Sequence, residues 1–225
     1  MRIISRSAVI ALVAAAGLLV TPVAYAGPLS GLVDTVNDVV EKTTGGVEDT
    51  VNSVTGGNSS GLDVDLDLGS NDTDNTIVDL YDRVAPNVSG SAKWDFAQWI
   101  PDAVVINLGT NDFAKANPEE AGWIAAYVAF IKRIQTHYPK AAVYLTVGPM
   151  ISEWPGDRKP RSVILGHIEK IVAQANAAGG VPVRFVDFGT QAQHNGIGAQ
   201  WHPSVKTHSL MAEKLTAAFK RDLGW

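Results

Sequence analysis

Two short segments far apart in the chain carry side chains suited to acyl-transfer chemistry. The first is an apolar, β-branched run, 104–108, that ends in a small polar turn containing Asn111. The second, 198–204, carries His202 directly before a helical pattern. An amide can stabilise an oxyanion, and an imidazole can move a proton near neutral pH. Because a buried strand delivers polar groups to the end of a sheet, we expect Asn111 and His202 to converge there and to act in ester hydrolysis.

Strand and helix signals alternate through the last two thirds of the chain, which predicts an α/β fold with a parallel sheet. Asn117 is predicted to cap the first long helix, with Pro118 in its first turn. The buried side of that helix is predicted to carry Trp123, Ala126, Tyr127, Phe130, Ile131 and Ile134. The predicted strands are 103–108, 142–147 and 182–188, and the predicted helices are 117–137, 162–177 and one that starts near Ser204.

The motifs around Asn111 and His202 resemble those of one enzyme superfamily. Gly109-Thr110-Asn111-Asp112 is similar to the third conserved block of the SGNH (GDSL-type) hydrolases, and Trp201-His202-Pro203 is similar to their last block. Within that superfamily, the chain most resembles the carbohydrate esterase branch that includes the acetyl xylan esterases. The similarity to this branch extends to Leu80-Tyr81-Asp82-Arg83, Trp94-Asp95-Phe96, Pro101-Asp102-Ala103, Val147-Gly148-Pro149-Met150, and His208 with Met211-Ala212.

This resemblance implies a fold, a site and a substrate class. The fold would be a three-layer, flavodoxin-like parallel sheet of the SGNH-hydrolase type, with helices on both faces. Asn111 would help to stabilise the oxyanion, and His202 would be the general base that takes the proton of a serine nucleophile. The substrate would be an acetylated carbohydrate or another small ester. No cofactor is implied.

The block that supplies the nucleophile in this family is missing from the chain. That block resembles Gly-Asp-Ser-Leu, and no Gly-Asp-Ser tripeptide occurs here. Ser70 is the least unsuitable substitute, although only about forty residues separate it from Asn111, which leaves little room for the intervening elements. Gly61 stands where the oxyanion-hole glycine of the second block would lie. We therefore expect an N-terminally incomplete fold and weak or absent hydrolysis of short acyl esters.

The residues before His202 also depart from the family pattern. An aspartate often stands two or three positions before the histidine, whereas Gln200 and Ala199 occupy the neighbouring positions here. Some members of the esterase branch use a backbone carbonyl instead. Two interpretations follow: an exported esterase with an unusual or externally supplied nucleophile, or an inactive relative that serves as a carbohydrate-binding or interaction module. A truncated gene or a misplaced start is a third.

Two tryptophans could extend the site towards a sugar, because a flat aromatic face packs against the apolar face of a pyranose. Trp201 directly precedes His202, and we expect it to line the cleft rather than only to pack the last loop. Trp154 lies in the segment 148–161, which is rich in Pro, Gly and charge and long enough to line a cleft. For Trp154, a role in the cleft and a chance exposure are equally compatible with the sequence.

The first 26 residues have the features of a secretory signal peptide. Arg2 and Arg6 precede the apolar run 8–20, and the small residues up to Ala26 fit a cleavage site before Gly27. The run falls short of the roughly 20 residues that span a bilayer, so stable membrane insertion is not expected. We predict a secreted or periplasmic protein with three parts: a signal peptide (1–26), a linker rich in Gly, Asp, Asn and Val (27–76), and an SGNH-hydrolase-like domain (77–225).

The composition limits the partners of the chain. Its 225 residues carry a formal net charge of −5 and no cysteine, so there is neither a disulfide framework nor a thiol nucleophile. Without clustered Lys and Arg, nucleic acid is not an expected partner. The histidines lack metal-ligand spacing, so no metal site is predicted. A missing first strand would expose an apolar sheet edge, which predicts a marginal fold or a homodimer that covers it.

Overall fold

The computed structural model describes residues 77–84 and 90–225 with their side chains, and the backbone of 8–15, 18–19 and 23–26. These residues belong to two compact units, one containing the described residues up to 190 and the other containing 191–225. Ser70, Gly61 and the segment interpreted as a linker lie outside the described residues.

A parallel sheet forms the centre of the first unit. Its strands are β1 (Ala8–Ala15), β2 (Leu18–Leu19), β3 (Val23–Ala26), β4 (Ala103–Asn107), β5 (Ala142–Val147) and β6 (Val183–Asp187). Strands β1, β4, β5 and β6 pair in parallel in that order, and β2 and β3 pair antiparallel with β1. Every residue of β4 and β5 is buried, so both faces of the sheet are covered. The three-layer α/β fold implied by the resemblance is confirmed.

The three long helices agree with the predicted pattern, with small shifts at their ends, and two short helices are present that the sequence did not predict. They are α1 (Ile77–Leu80), α2 (Asp112–Lys115), α3 (Glu120–His137), α4 (Pro160–Ala177) and α5 (Val205–Leu223). Apolar residues of α3 and α4 form one core with β4 and β5, since Ile131 and Ile164 join Ile106 and Leu145 in a single buried cluster. This core holds the carboxyl ends of the strands in fixed positions beneath the loops that follow them.

The prediction that Asn117 caps the first long helix is wrong. Glu119 is the N-cap of α3, and its carboxylate accepts hydrogen bonds from the backbone N–H groups of Ala121 (2.8 Å) and Gly122 (2.7 Å). A carboxylate at this position satisfies two unpaired donors and meets the positive end of the helix. The Asn117 side chain instead donates Nδ2–H to the carbonyl oxygen of Arg158 at 2.7 Å.

The predicted buried side of α3 is correct at four positions and wrong at Ala126. Tyr127, Phe130, Ile131 and Ile134 are buried. Trp123 is half-buried and Ala126 is exposed, and both line a pocket. A side chain at position 126 therefore faces open space rather than the core.

Strand β1 occupies the sheet edge that the sequence predicts to be open. Val9 pairs with Ala103, and Val13 pairs with Asn107. The edge is therefore covered in the full chain. Cleavage near Ala26 would remove β1 and uncover β4, so the homodimer stays a prediction for the processed chain. The boundaries 1–26, 27–76 and 77–225 also stay predictions.

One buried and one half-buried histidine of the first unit are expected to make its stability depend on pH. The His137 ring stacks on Phe96 with centroids 3.7 Å apart. His167 is 4% exposed and lies against the rings of Phe113 and Trp123. Burial lowers the pKa of both histidines below the usual value for this side chain.

We expect the free energy of unfolding to fall as the pH drops below about 6.5, the usual histidine pKa. Because both pKa values are lowered in the folded state, the unfolded chain binds more protons in this window. The contribution of the two neutral histidines to the free energy of unfolding is complete above that pH. It is lost as the pH falls through their folded-state pKa values. Urea titrations at about pH 7.5 and about pH 5.5 measure it.

The His137→Phe variant keeps an aromatic ring against Phe96 but cannot be protonated, so its unfolding free energy should depend less on pH. His194, which is exposed, provides a matched control as His194→Gln. An unchanged pH dependence in His137→Phe would assign the effect to other groups.

Candidate active site

The turn after β4 is held in place by Gly109. Gly109 has a φ of +112°, and a Cβ there would lie 2.7 Å from Ile164 Cδ1 and 3.2 Å from Trp123 Cζ2. Only glycine combines this conformation with so close an approach. The Gly109 carbonyl accepts the N–H of Phe113 at 3.2 Å, which starts α2 directly after the turn. The chain therefore reverses within a few residues and presents Asn111 at the carboxyl end of β4.

Asn111 lies at the N-cap of α2 but makes no capping hydrogen bond with its side chain. It is exposed and lines a pocket of about 570 Å³ in the first unit. Its amide can therefore turn towards a ligand. The other lining residues are Ile77, Val78, Leu108, Gly109, Thr110, Asp112, Trp123, Ala126, Tyr127 and Phe130.

Aromatic side chains of α3 form one wall of this pocket. The indole Nε1–H of Trp123 donates to Asp112 Oδ1 at 3.1 Å, which connects α3 to the turn. The Trp123 ring packs on Phe113 and Tyr127 with centroid distances of 5.4 and 5.1 Å. Burial raises the pKa of Tyr127, so its phenol stays protonated and the wall stays uncharged at neutral pH.

Asn107 and Gly148 lie close to the turn that contains Asn111, and the sequence analysis assigned neither of them a role in the site. Asn107 ends β4 with 6% exposure, and its Oδ1 has no hydrogen-bond partner among the described residues. A Cβ at Gly148 would lie 2.5 Å from Thr110 Oγ1 and 3.6 Å from Asn107 Oδ1. The turns after β4 and β5 thus approach each other closely, and a glycine at position 148 makes this possible.

The loop between β5 and α4 is tied to α2. Arg158 donates from Nη1 to the Phe113 carbonyl and from Nη2 to the Ala114 carbonyl, each at 3.3 Å. These bonds satisfy backbone acceptors at the end of a short helix. Trp154, in the same loop, is 82% exposed. The loop therefore carries an exposed aromatic face and is anchored near the turn that contains Asn111.

In the second unit, His202 is oriented by a backbone carbonyl. Its Nδ1 lies 3.0 Å from the carbonyl oxygen of Ala199. A carbonyl only accepts hydrogen bonds, so Nδ1 is the donor in this contact, and in the neutral ring the lone pair is then on Nε2. A general base requires that tautomer. Ala199 thus supplies the orienting group through its backbone, in place of an aspartate.

The segment around His202 is a strained, closely tied turn. Gln200 and Trp201 have φ values of +50° and +65°, a conformation that costs about 1–3 kcal/mol for residues other than glycine. The Gly198 N–H donates to the His202 carbonyl at 2.8 Å, and Gln191 Nε2 donates to the Trp201 carbonyl at 2.6 Å. These bonds hold Trp201 in a position where 68% of its surface is exposed.

Ser204 fixes the start of α5 two residues after His202, as the sequence predicts. Its Oγ accepts the N–H of Thr207 at 3.2 Å and donates to the Asn195 carbonyl at 2.6 Å. One turn further, burial lowers the pKa of His208, and the charge of a protonated His202 lowers it further. Protonation of His208 is therefore less favourable than that of an ordinary histidine.

The predicted site residues fall in both units. Asn111 and Trp154 belong to the first unit, whereas Trp201 and His202 belong to the second. The convergence of Asn111 and His202 stays a prediction. Within the described segments, no group of three or more His, Asp and Glu side chains could hold a metal ion. No helix in those segments is long and apolar enough to cross a membrane.

The turn around Asn111 and the turn around His202 lie within a region that matches one protein family. The model of the GDSL-like lipase/acylhydrolase family matches residues 44–210. The chain belongs to this family. Its relatives include the cellulase/esterase CelE of Acetivibrio thermocellus, 39% identical over 149 residues, which are 66% of this chain and 17% of that protein. An acetylxylan esterase/glucomannan deacetylase of Cellvibrio japonicus is 25% identical over 152 residues, 68% of this chain and 39% of that protein.

Solved structures of carbohydrate esterases confirm the fold. A family two carbohydrate esterase from Clostridium thermocellum, in complex with cellohexaose, superposes with a TM-score of 0.61 and 38% identity. The match covers 66% of this chain and 44% of that chain. A family 2 carbohydrate esterase of Corynascus thermopiles (Myceliophthora fergusii), with a carbohydrate-binding domain, gives a TM-score of 0.60 and 35% identity over 70% and 48% of the two chains. The chain spans less than half the length of these relatives.

Proposed function

We propose that this member of the GDSL-like family is a carbohydrate esterase with His202 as its general base and Asn111 as its oxyanion donor. The hydrogen bond between His202 Nδ1 and the Ala199 carbonyl, at 3.0 Å, is the observation that carries the proposal. In the neutral ring, this hydrogen bond leaves the lone pair on Nε2. The Ala199 carbonyl thereby takes the orienting role that an aspartate often has in this family. A histidine that only packs in the structure would not require a strained turn directly before it, such as the one at Gln200 and Trp201.

In this mechanism a hydroxyl nucleophile attacks the carbonyl carbon of an acetyl ester while His202 Nε2 takes its proton. The Asn111 Nδ2–H group donates to the oxyanion that forms, and His202 then returns the proton to the leaving sugar hydroxyl. Water completes the cycle by releasing acetate from the nucleophile. Asn111 suits this role because its amide makes no capping bond to α2.

Relatives and exposed aromatic residues support the substrate class. The curated relatives carry the names cellulase/esterase and acetylxylan esterase, and a solved relative is in complex with cellohexaose. Trp201 and Trp154 expose 68% and 82% of their surfaces, as residues that stack on sugar rings require. We therefore infer an acetylated polysaccharide as the substrate.

The Gly-Asp-Ser block that supplies the nucleophile in this family is missing, so the nucleophile is proposed separately. The described serines all hydrogen-bond within their own segments: Ser91 with Ala92, Ser152 with Trp154, Ser162 with Glu153, Ser204 with Asn195, and Ser209 with Val205. Ser70 therefore stays the candidate to test first, with Gly61 as a candidate oxyanion donor.

The full chain is expected to release acetate slowly from acetylated xylan and from nitrophenyl acetate, because no Gly-Asp-Ser block is present to supply an activated serine. Ser70→Ala should lower this rate to that of the uncatalysed reaction, whereas Ser60→Ala, in the same segment, should not. A fast rate that survives Ser70→Ala would assign the nucleophile to another residue.

The missing Gly-Asp-Ser block favours a second candidate function, a carbohydrate-binding module that does not hydrolyse its ligand. In that case the full chain would bind insoluble acetylated xylan without releasing acetate, and Trp154→Ala or Trp201→Ala would weaken binding. Acetate release that depends on His202 would exclude this alternative.

We also infer export from the features of the first 26 residues. After expression of the full chain in a secreting bacterial host, the extracellular protein is expected to begin near Gly27, because the small residues up to Ala26 suit signal peptidase. Mass spectrometry and N-terminal sequencing measure the start. An extracellular protein that retains residues 8–15 would contradict cleavage at this position.

A further inference from the structure

The peptide group between Trp201 and His202 is held by a hydrogen bond at each of its two polar ends. Its carbonyl oxygen, which belongs to Trp201, accepts from Gln191 Nε2 at 2.6 Å. Its N–H group, which belongs to His202, donates to the Ala199 carbonyl at 3.0 Å. Because a peptide group is planar and rigid, these two bonds together fix the rotation of the backbone directly before the imidazole.

The Ala199 carbonyl accepts a second hydrogen bond from the same residue. His202 Nδ1 also lies 3.0 Å from this oxygen. The backbone N–H and the ring Nδ1–H of His202 therefore share one acceptor, and its two lone pairs suffice for both. A rotation of the peptide group between Trp201 and His202 would carry the ring away from the Ala199 carbonyl. The tautomer of His202 thus depends on the orientation of that peptide group.

This turn requires a restraint, and the Gln191 side chain is placed to supply it. Gln200 and Trp201 have φ values of +50° and +65°, so the backbone would relax towards negative φ values if it were free. Gln191 is half-buried, and its Oε1 is buried without a hydrogen-bond partner among the described residues. The amide is therefore enclosed with its NH₂ group against the Trp201 carbonyl, an atom that can only accept.

We propose that Gln191 is a positioning residue for His202. Through the Trp201 carbonyl, it holds the turn in which His202 Nδ1 donates to the Ala199 carbonyl and the lone pair is on Nε2. This rests on the proposed role of His202 as the general base, which requires that tautomer. Gln191 acts through the backbone and takes no part in the proton transfer itself.

The tautomer of His202 can be measured without any turnover. Long-range proton–nitrogen NMR spectra of the full chain, isotopically labelled at its histidines, distinguish the two neutral tautomers, and the spectrum of His202→Ala assigns the signals. At about pH 8, above the usual histidine pKa, the unsubstituted chain should contain mainly the Nδ1–H form. Gln191→Met keeps the length of the side chain but removes the donor. It should lower the ratio of the Nδ1–H form to the Nε2–H form at least about threefold, which lies within the effect of losing one hydrogen bond.

A second variant and a matched control accompany this measurement. Gln191→Glu keeps the shape of the side chain but places a carboxylate, which cannot donate, against the Trp201 carbonyl. It should lower the ratio at least as much as Gln191→Met. Gln193 is exposed in the same unit, so Gln193→Met should leave the ratio unchanged.

Urea titrations of each variant establish whether it is folded under the conditions of the spectra. If Gln191→Met does not fold, the ratio in Gln191→Glu decides. An unchanged ratio in a folded Gln191 variant, or an equal fall in Gln193→Met, would overturn the proposal. Unfolding of both Gln191 variants would make Gln191 a residue required for folding and would overturn it as well.

The esterase proposal fails separately from this one. A lowered ratio in Gln191→Met, in a chain that hydrolyses no ester, would keep the positioning role and reject the esterase. In an active chain, Gln191→Met should lower kcat for nitrophenyl acetate at least about threefold and leave KM unchanged. Hydrolysis that depends on His202, with the ratio and kcat unchanged in Gln191→Met, would keep the esterase and reject the role of Gln191.

Discussion

His202→Ala is expected to lower the rate of nitrophenyl acetate hydrolysis by about 10²–10⁴-fold, the usual contribution of a positioned general base. Asn111→Ala should lower it by about 10²–10³-fold, because an oxyanion donor is lost at the transition state. Both losses should appear mainly in kcat rather than in KM. Steady-state kinetics of the purified full-length variants measure them.

The double variant tests whether the two residues act in one site. If Asn111 and His202 serve the same step, their combined loss should be clearly smaller than the product of the single losses. His194 is an exposed histidine in the same unit as His202. His194→Ala therefore provides the control and should hydrolyse the ester at the rate of the unsubstituted chain. A His202→Ala variant as active as the unsubstituted chain would contradict the proposed base.

Gly109→Ala is expected to reduce the free energy of unfolding by about 2–4 kcal/mol. The alanine would have to adopt a φ of +112°, and its Cβ would lie 2.7 Å from Ile164 Cδ1. Urea unfolding followed by circular dichroism measures the change in stability.

A double-mutant cycle separates the two causes of this loss. Ile164→Val removes the Cδ1 atom, so Gly109→Ala should cost less stability in that background, and the remaining loss reports the backbone strain. Gly166→Ala, in α4, is the matched control, since a Cβ there meets no atom within 4 Å. It should leave stability unchanged or raise it by up to about 1 kcal/mol. Equal losses at positions 109 and 166 would contradict the steric argument.

The strands β4, β5 and β6 and the helices α3 and α4 of the first unit could be predicted from local patterns. The β-branched run that forms β4 is buried at every position, and the spacing of Tyr127, Phe130, Ile131 and Ile134 identifies the buried side of α3. These patterns are local because side chains two apart share a strand face and those three or four apart share a helix face. The N-cap of α3 could not be predicted in this way, because several polar residues precede the helix. The backbone of the preceding turn places Glu119, and not Asn117, at the cap position.

The chemistry of the candidate site was predictable only where a side chain carries it. Asn111 and His202 stand out by residue type and motif, so the sequence identified them. The carbonyl that orients His202 has no such signature, since every residue has a carbonyl and only the backbone path brings that of Ala199 to Nδ1. The attachment of Arg158 to Phe113 joins residues that are 45 apart in the chain, and no local pattern marks it.

The sequence by itself therefore determined the family, the strands β4, β5 and β6 with the helices α3 and α4, and the identities of Asn111 and His202. The tertiary structure decided that Ala126 faces a pocket, that β1 pairs with β4, and that the turns after β4 and β5 approach each other closely. The physical reason is that periodicity and residue type describe what one segment prefers, whereas an empty volume or a paired edge depends on where several distant segments come to lie.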